Sequence, residues 1–198
     1  MADHADDGGD DDVFVYMGGN QVVPHDVTHV RIHKSVKIIT RMAFRNCTNL
    51  VSIEMHDGVE IIERMAFYMC DTLRGIKLSG VRVIEHAAFY DCNSLEEVEF
   101  GDKLQTIGVN AFYCCTSLRS IKIPKVRIIE MGAFRECDEL TEAELSEDLE
   151  RIEGGAFSHY ECSLVSHSQV KFSRQVLACL LYSRTSENMD RTLKLPST

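Results

Sequence analysis

Residues 66–78 read Ala66-Phe67-Tyr68-Met69-Cys70-Asp71-Thr72-Leu73-Arg74-Gly75-Ile76-Lys77-Leu78, and this stretch returns with small changes along most of the chain. Its Ala-Phe pair recurs at Ala43-Phe44, Ala88-Phe89, Ala111-Phe112, Ala133-Phe134 and Ala156-Phe157, so successive copies begin 23, 22, 23, 22 and 23 residues apart. A Cys stands three residues after each of the first five Phe (Cys47, Cys70, Cys92, Cys115, Cys137), and a Leu three further on (Leu50, Leu73, Leu95, Leu118, Leu140). The sixth copy departs, with Tyr160 at the Cys position and Cys162 and Leu164 displaced. A fixed period of this length marks an array in which each unit buries its apolar face against its neighbours. One continuous solenoid of six rungs is therefore expected.

Within a unit, Ile76-Lys77-Leu78 aligns with Val30-Arg31-Ile32, Ile53-Glu54-Met55, Val98-Glu99-Phe100, Ile121-Lys122-Ile123 and Ala143-Glu144-Leu145. Apolar, charged, apolar is the period-two pattern of a strand with one buried face. A turn follows, two residues long in the 22-residue copies (Ser79-Gly80, Pro124-Lys125) and three in the 23-residue ones (His56-Asp57-Gly58, Gly101-Asp102-Lys103), which accounts for the alternating spacing. A second extended segment comes next, as in Val81-Arg82-Val83-Ile84. A helical turn holding Ala-Phe-x-x-Cys is expected to close each rung, because Phe and Cys three apart share one face of a helix.

With these strands joined to Ala-Phe-x-x-Cys turns at 22 to 23 residues, residues 27–160 resemble the BspA-type leucine-rich repeat family. The resemblance implies a curved leucine-rich repeat solenoid with a parallel sheet on its concave side, and a role in recognition. Members of that family include surface proteins involved in adhesion.

The flanks read differently. Residues 1–12 carry six Asp and no Lys or Arg, the composition of a disordered acidic tail. In residues 13–29, Val13-Phe14-Val15-Tyr16 and Gln21-Val22-Val23 flank Met17-Gly18-Gly19-Asn20, which predicts a hairpin that caps the first rung. The solenoid is expected over 30–164, a degenerate C-terminal cap over 165–182 and a disordered tail over 183–198. A net charge of -10 opposes general nucleic-acid binding, which requires a basic face, and disfavours acidic lipid surfaces. No basic, apolar leader opens the sequence and no stretch is long and apolar enough to span a membrane. A cytoplasmic location is expected if Met1 is the start, with the nucleus open as well; the eight cysteines would then be free thiols.

Stacking the strands places Arg31, Glu54, Lys77, Glu99, Lys122 and Glu144 in one exposed column whose signs alternate. Opposite charges on neighbouring strands stabilise a register, so the column reads as a structural ladder, with a ligand site as the alternative. Beside it, Arg74, Glu96 and Arg119 form one column and Gly75, Glu97 and Glu142 another, with Gly75 leaving a notch. The residue after each Phe gives the row Arg45, Tyr68, Tyr90, Tyr113 and Arg135, either an internal aromatic and cation-π stack or an interaction patch. The single Cys in each rung fits a buried thiol column better than a metal site, which would need paired or clustered ligands. Cys114 should face outward beside Cys115, where it could be oxidised. His33 and His56 align on successive turns, too few to signal a metal. There is no nucleophile elbow or phosphate-cradling glycine loop.

The expected function is a non-catalytic protein-protein interaction module, without cofactor or metal. Its candidate contact residues are Arg74, Glu97, Glu99, Arg119 and Glu142 on the sheet and Tyr68, Tyr90 and Tyr113 on the turn side. Self-association through an open solenoid end is a further expectation. The alternative is an adhesion protein of the BspA kind with its export signal missing.

Overall fold

A computed structural model describes residues 13–158 and 193–194. The expected tail at 1–12 and cap at 165–182 lie outside these residues. Strand β1 (Val13–Tyr16) leads into six rungs, each with one longer and one two-residue strand. The longer ones are β2 (His29–Ile32), β4 (Ser52–Glu54), β6 (Gly75–Leu78), β8 (Glu97–Phe100), β10 (Ser120–Ile123) and β12 (Glu142–Leu145). The short ones are β3 (Ile38–Ile39), β5 (Ile61–Ile62), β7 (Val83–Ile84), β9 (Thr106–Ile107), β11 (Ile128–Ile129) and β13 (Arg151–Ile152). Like strands of successive rungs pair in parallel, forming a parallel β-solenoid of six turns. A last strand, β14 (Leu193–Lys194), pairs antiparallel with β13, within the stretch 183–198 read above as disordered.

The two faces differ in continuity. The short strands form one unbroken sheet from β3 to β14. The longer strands are hydrogen-bonded in groups, β1-β2-β4, then β6-β8, then β10-β12. Between β4 and β6 a side chain takes over from the backbone ladder: Thr72 Oγ1 donates to the carbonyls of Thr48 and Leu50 at 2.8 and 3.0 Å.

The core is a set of columns, one residue per rung. Phe44, Phe67, Phe89, Phe112, Phe134 and Phe157 stack with centroids 4.9 to 5.3 Å apart and planes within 12° of parallel. Tyr16 continues the column below Phe44 at 5.0 Å, tilted by 58°, so an aromatic ring also closes the N-terminal end. The five repeated Cys and five repeated Leu are all buried beside this column, as their spacing requires. Each fully buried Phe, Leu or Ile contributes roughly 1.5–3 kcal/mol.

Two expectations are corrected. No helix forms among the described residues, so the Ala-Phe-x-x-Cys segment is not a helical turn. Residues two before and two after each of the first five repeated Phe adopt positive φ, as at Met42 (61°) and Asn46 (60°), Met65 (58°) and Met69 (57°), Ala87 (53°) and Asp91 (62°). The segment is therefore a run of tight turns: Arg45 N bonds Met42 O and Cys47 N bonds Phe44 O within the rung. Alternate amides instead reach the next rung, with Met42 N donating to Arg64 O, Phe44 N to Ala66 O and Asn46 N to Tyr68 O. Left-handed residues aim these amides along the stack, turning bonds a helix would keep to itself into rung-to-rung bonds.

The capping hairpin is also not what forms. Val13–Tyr16 pairs in parallel with β2, matching Val15 to Arg31 and Tyr16 to Ile32, and residues 21–23 are not a strand. Gly18 and Gly19 do take positive φ (85° and 62°), but the chain after them does not return as a strand paired with β1.

Candidate functional site

On the longer-strand face the alternating charges pair within hydrogen-bonded groups. Arg31 bonds Glu54 at 2.6 Å, Lys77 bonds Glu99 at 2.8 Å and Lys122 bonds Glu144 at 2.8 Å. Each couple sits in direct register, Arg31 on Glu54, Lys77 on Glu99 and Lys122 on Glu144. Among the described residues the ladder's ion pairs thus fall within the hydrogen-bonded groups, and none joins Glu54 to Lys77 across the break between β4 and β6. The Glu99 hydrogen bond raises the pKa of Lys77. These pairs are exposed, so each is worth little.

The contact candidates on this face separate accordingly. Glu99 is engaged by Lys77, and Arg119 by Glu96 at 3.1 Å. Arg74, Glu97 and Glu142 are exposed and make no ion pair with a described residue. Gly75 lies beside Arg74, and a methyl placed there would meet only Glu97 O, at 3.7 Å, so the expected notch is open. Across the break stands Val51, 47% exposed. An apolar side chain, an open notch, and a cation and carboxylates that make no ion pair with a described residue thus share one face.

On the turn side the tyrosines stack. Tyr68 and Tyr90 lie 5.0 Å apart at 12°, and Tyr90 and Tyr113 lie 4.7 Å apart at 10°. The Arg45 guanidinium covers Tyr68 at 5.5 Å and that of Arg135 covers Tyr113 at 5.9 Å. Ring faces are therefore occupied, leaving half-buried edges and hydroxyls for a partner. Burial, and then hydrogen bonding with Glu136, pushes the Tyr113 phenol up to about 12.

A third feature is a cleft of about 750 Å³ along the turns, with Glu60, Arg82, Gln105, Arg127 and Glu150 on its floor. Arg127 pairs with Glu150, Lys125 with Asp148 at 3.0 Å, and Arg82 approaches Glu60 at 4.0 Å. Its charges largely neutralise one another.

The described cysteines are all free thiols. Each repeated thiol donates to a carbonyl of the rung behind: Cys70 to Phe44 O, Cys92 to Phe67 O and Cys137 to Phe112 O, all at 3.1 Å, and Cys115 to Phe89 O at 3.2 Å. Burial pushes the Cys47 thiol up to about 11. Cys114 is half-buried, and burial followed by hydrogen bonding to Asp91 pushes its thiol up to about 11 as well. A thiol so held is protonated near neutral pH, which works against the oxidation expected there. His56 Nε2 lies 3.1 Å from the His33 carbonyl oxygen, and the described residues gather no group of three His, Cys, Asp or Glu as a metal site.

Sequence reasoning missed one structural column. Glu63, Glu85, Glu130 and Glu153 each accept a hydrogen bond from a backbone amide of the preceding rung, those of Arg41, Arg64, Val109 and Met131, at 2.7 to 3.1 Å. The signal was a Glu four residues before Phe. Gly108 replaces it in one rung, where a Cβ would lie 2.8–2.9 Å from backbone atoms of residues 84–86.

Comparison with known proteins agrees with this geometry. The profile of the BspA type leucine rich repeat region matches residues 24–124 and 77–177, with six copies. A leucine rich repeat protein from T. pallidum is similar at 35% identity and a TM-score of 0.57, covering 60% of this chain and 56% of its own. A leucine-rich repeat protein from Eubacterium ventriosum is similar at 20% identity and a TM-score of 0.53, covering 80% of this chain and 46% of its own, which speaks to the fold alone. The chain thus spans about half the length of these structures. No curated protein matches it in sequence. Among the described residues no helix is long and apolar enough to cross a membrane.

Proposed function

The chain belongs to the BspA-type leucine-rich repeat family, and from that premise we propose that it is a non-catalytic recognition module that binds a protein partner on its longer-strand face. The observation that carries this reading is the patch spanning the break between β4 and β6. There Val51, the open Gly75 notch, and Arg74 and Glu97, which make no ion pair with a described residue, lie together, with β6 held by β8. A backbone fixed in this way has little of its own freedom to lose on binding, and an apolar centre with a charged rim is the composition of a protein interface. Arg74 is the central contact in this reading, with Glu97 and Glu142 extending the surface towards the C-terminal rungs. Glu99 and Arg119, engaged by Lys77 and Glu96, are the less available of the candidates. Tyr68, Tyr90 and Tyr113 form a second, lesser surface through their edges.

A photo-crosslinking residue placed at Arg74, and a second at Arg64 on the turn side, tests the assignment. A discrete crosslinked protein is expected from position 74 and not from 64. Equal labelling from both positions, or none from 74, would remove the longer-strand face from consideration.

A further inference from the structure

Among the described residues, the outer edge of β1 is met by a side chain, that of Gln21. In a parallel ladder alternate residues turn their amide and carbonyl to opposite neighbours. Tyr16 O accepts from His33 N on the inner side, so Val15, by that alternation, presents its backbone outward, where the rung before β1 would lie. The Gln21 carboxamide occupies this place: its Nε2 donates to Val15 O at 3.1 Å and its Oε1 accepts from Met17 N at 2.5 Å. One donor and one acceptor on backbone groups two residues apart is how a residue of a neighbouring parallel strand would bond. Gln21 is held there by the Gly18-Gly19 turn, through Gln21 N on Gly18 O at 3.4 Å and Thr40 Oγ1 on Gly19 O at 3.0 Å.

We propose that the outer edge of β1 is a latent pairing surface for a second copy of this chain, kept shut by the Gln21 carboxamide. The slot that Gln21 fills has the register of a parallel strand, the kind of strand this solenoid itself consists of. Val15 and Met17, which carry the bonded backbone groups, and Val22, next to Gln21, are 40%, 53% and 86% exposed, apolar side chains available to a second copy. An edge of this kind pairs with another chain unless it is blocked, and a side chain mimicking the missing strand is a specific block.

The test uses the full chain and light-scattering mass at matched concentrations. Gln21→Ala should raise the mass about two-fold or more while circular dichroism stays that of the parent. Val15→Pro removes the outward amide without touching a bond to β2, and proline is tolerated on an edge with its nitrogen facing out. Added to Gln21→Ala, it should restore the parental mass. If Gln21→Ala fails to fold, Gln21→Glu, which keeps the acceptor for Met17 and loses the donor to Val15, should show the same rise. Unchanged mass in folded variants would overturn the proposal, as would a rise that Val15→Pro does not reverse. So would unchanged mass with the Met17 amide still protected from hydrogen exchange in Gln21→Ala, which would mean that another segment of the chain covers the edge.

Discussion

The Cys92 thiol donates to the Phe67 carbonyl at 3.1 Å, one rung behind, and the same carbonyl accepts the Cys70 amide at 3.3 Å. A buried oxygen with two lone pairs is thus satisfied twice, by a group small and apolar enough to sit among phenylalanines. Cys92→Ala removes the second donor and leaves a small void, and is expected to cost about 1–3 kcal/mol in urea unfolding. Loss of stability well below that range would mean that the thiol only fills space.

Thiol ionisation gives an alkaline limit. The folded chain holds the protons of Cys47 and Cys114 more tightly than the unfolded one, with values raised from 9.0 to about 11. The resulting stability is complete below pH 9 and is lost as pH rises towards 11. Tyr113, raised from 10.0 to about 12, extends the decline. Thermal midpoints should hold level to about pH 9 and fall beyond it, and a thiol reagent should label the repeated cysteines only after unfolding.

The charge dyads make a swap informative. Lys77→Glu sets a carboxylate against Glu99 and should lower the thermal midpoint in low salt, with partial recovery in high salt. Adding Glu99→Lys restores opposite charges within the dyad while placing like charges across both breaks. In isolated dyads the double variant returns to the parental midpoint. A continuous ladder would keep it as low as the single variant.

The left-handed turns make an unusual pair of substitutions. Ala87 has φ 53°, so Ala87→Gly relieves about 1–2 kcal/mol of strain while giving up about 0.8 kcal/mol of methyl burial. Neutral to slightly higher stability is expected, where a helix interior would lose about 1 kcal/mol. Gly132→Ala should destabilise because of its φ of 65°, while the Asn110 side chain, whose Oδ1 would lie 2.2 Å from the new Cβ, can turn aside. Chemical denaturation of both variants checks the turn geometry.

The repeat made the solenoid and its inward columns legible, because the spacing of Phe67, Cys70, Leu73 and Ile76 assigns burial whatever backbone carries them. That same indifference hid the turns. Phe and Cys three apart converge in a helix and in consecutive tight turns alike, and the hint of positive φ carried by Asn110 and Gly132 is masked by Met65 and Ala87 at the equivalent positions. The dyads were hidden because Arg31 to Glu144 alternate in sign across the breaks as well as within the pairs. Gly18-Gly19 signalled a turn correctly, but β1 pairs in parallel with β2 and meets the Gln21 side chain on its other edge, neither of which strand periodicity registers. On the candidate surface, Arg74 and Gly75 could be placed in adjacent columns from sequence; which charges remain unpaired depended on side-chain geometry.

The most direct measurement is the affinity of the protein crosslinked at position 74 for the parent chain, for Arg74→Glu and for a variant with Tyr90→Ala, all shown to be folded. Binding through the longer-strand face requires Arg74→Glu to weaken affinity at least about ten-fold, about 1.4 kcal/mol, while Tyr90→Ala changes it little. Equal affinity of Arg74→Glu and the parent, or a loss confined to Tyr90→Ala, would contradict recognition at this face.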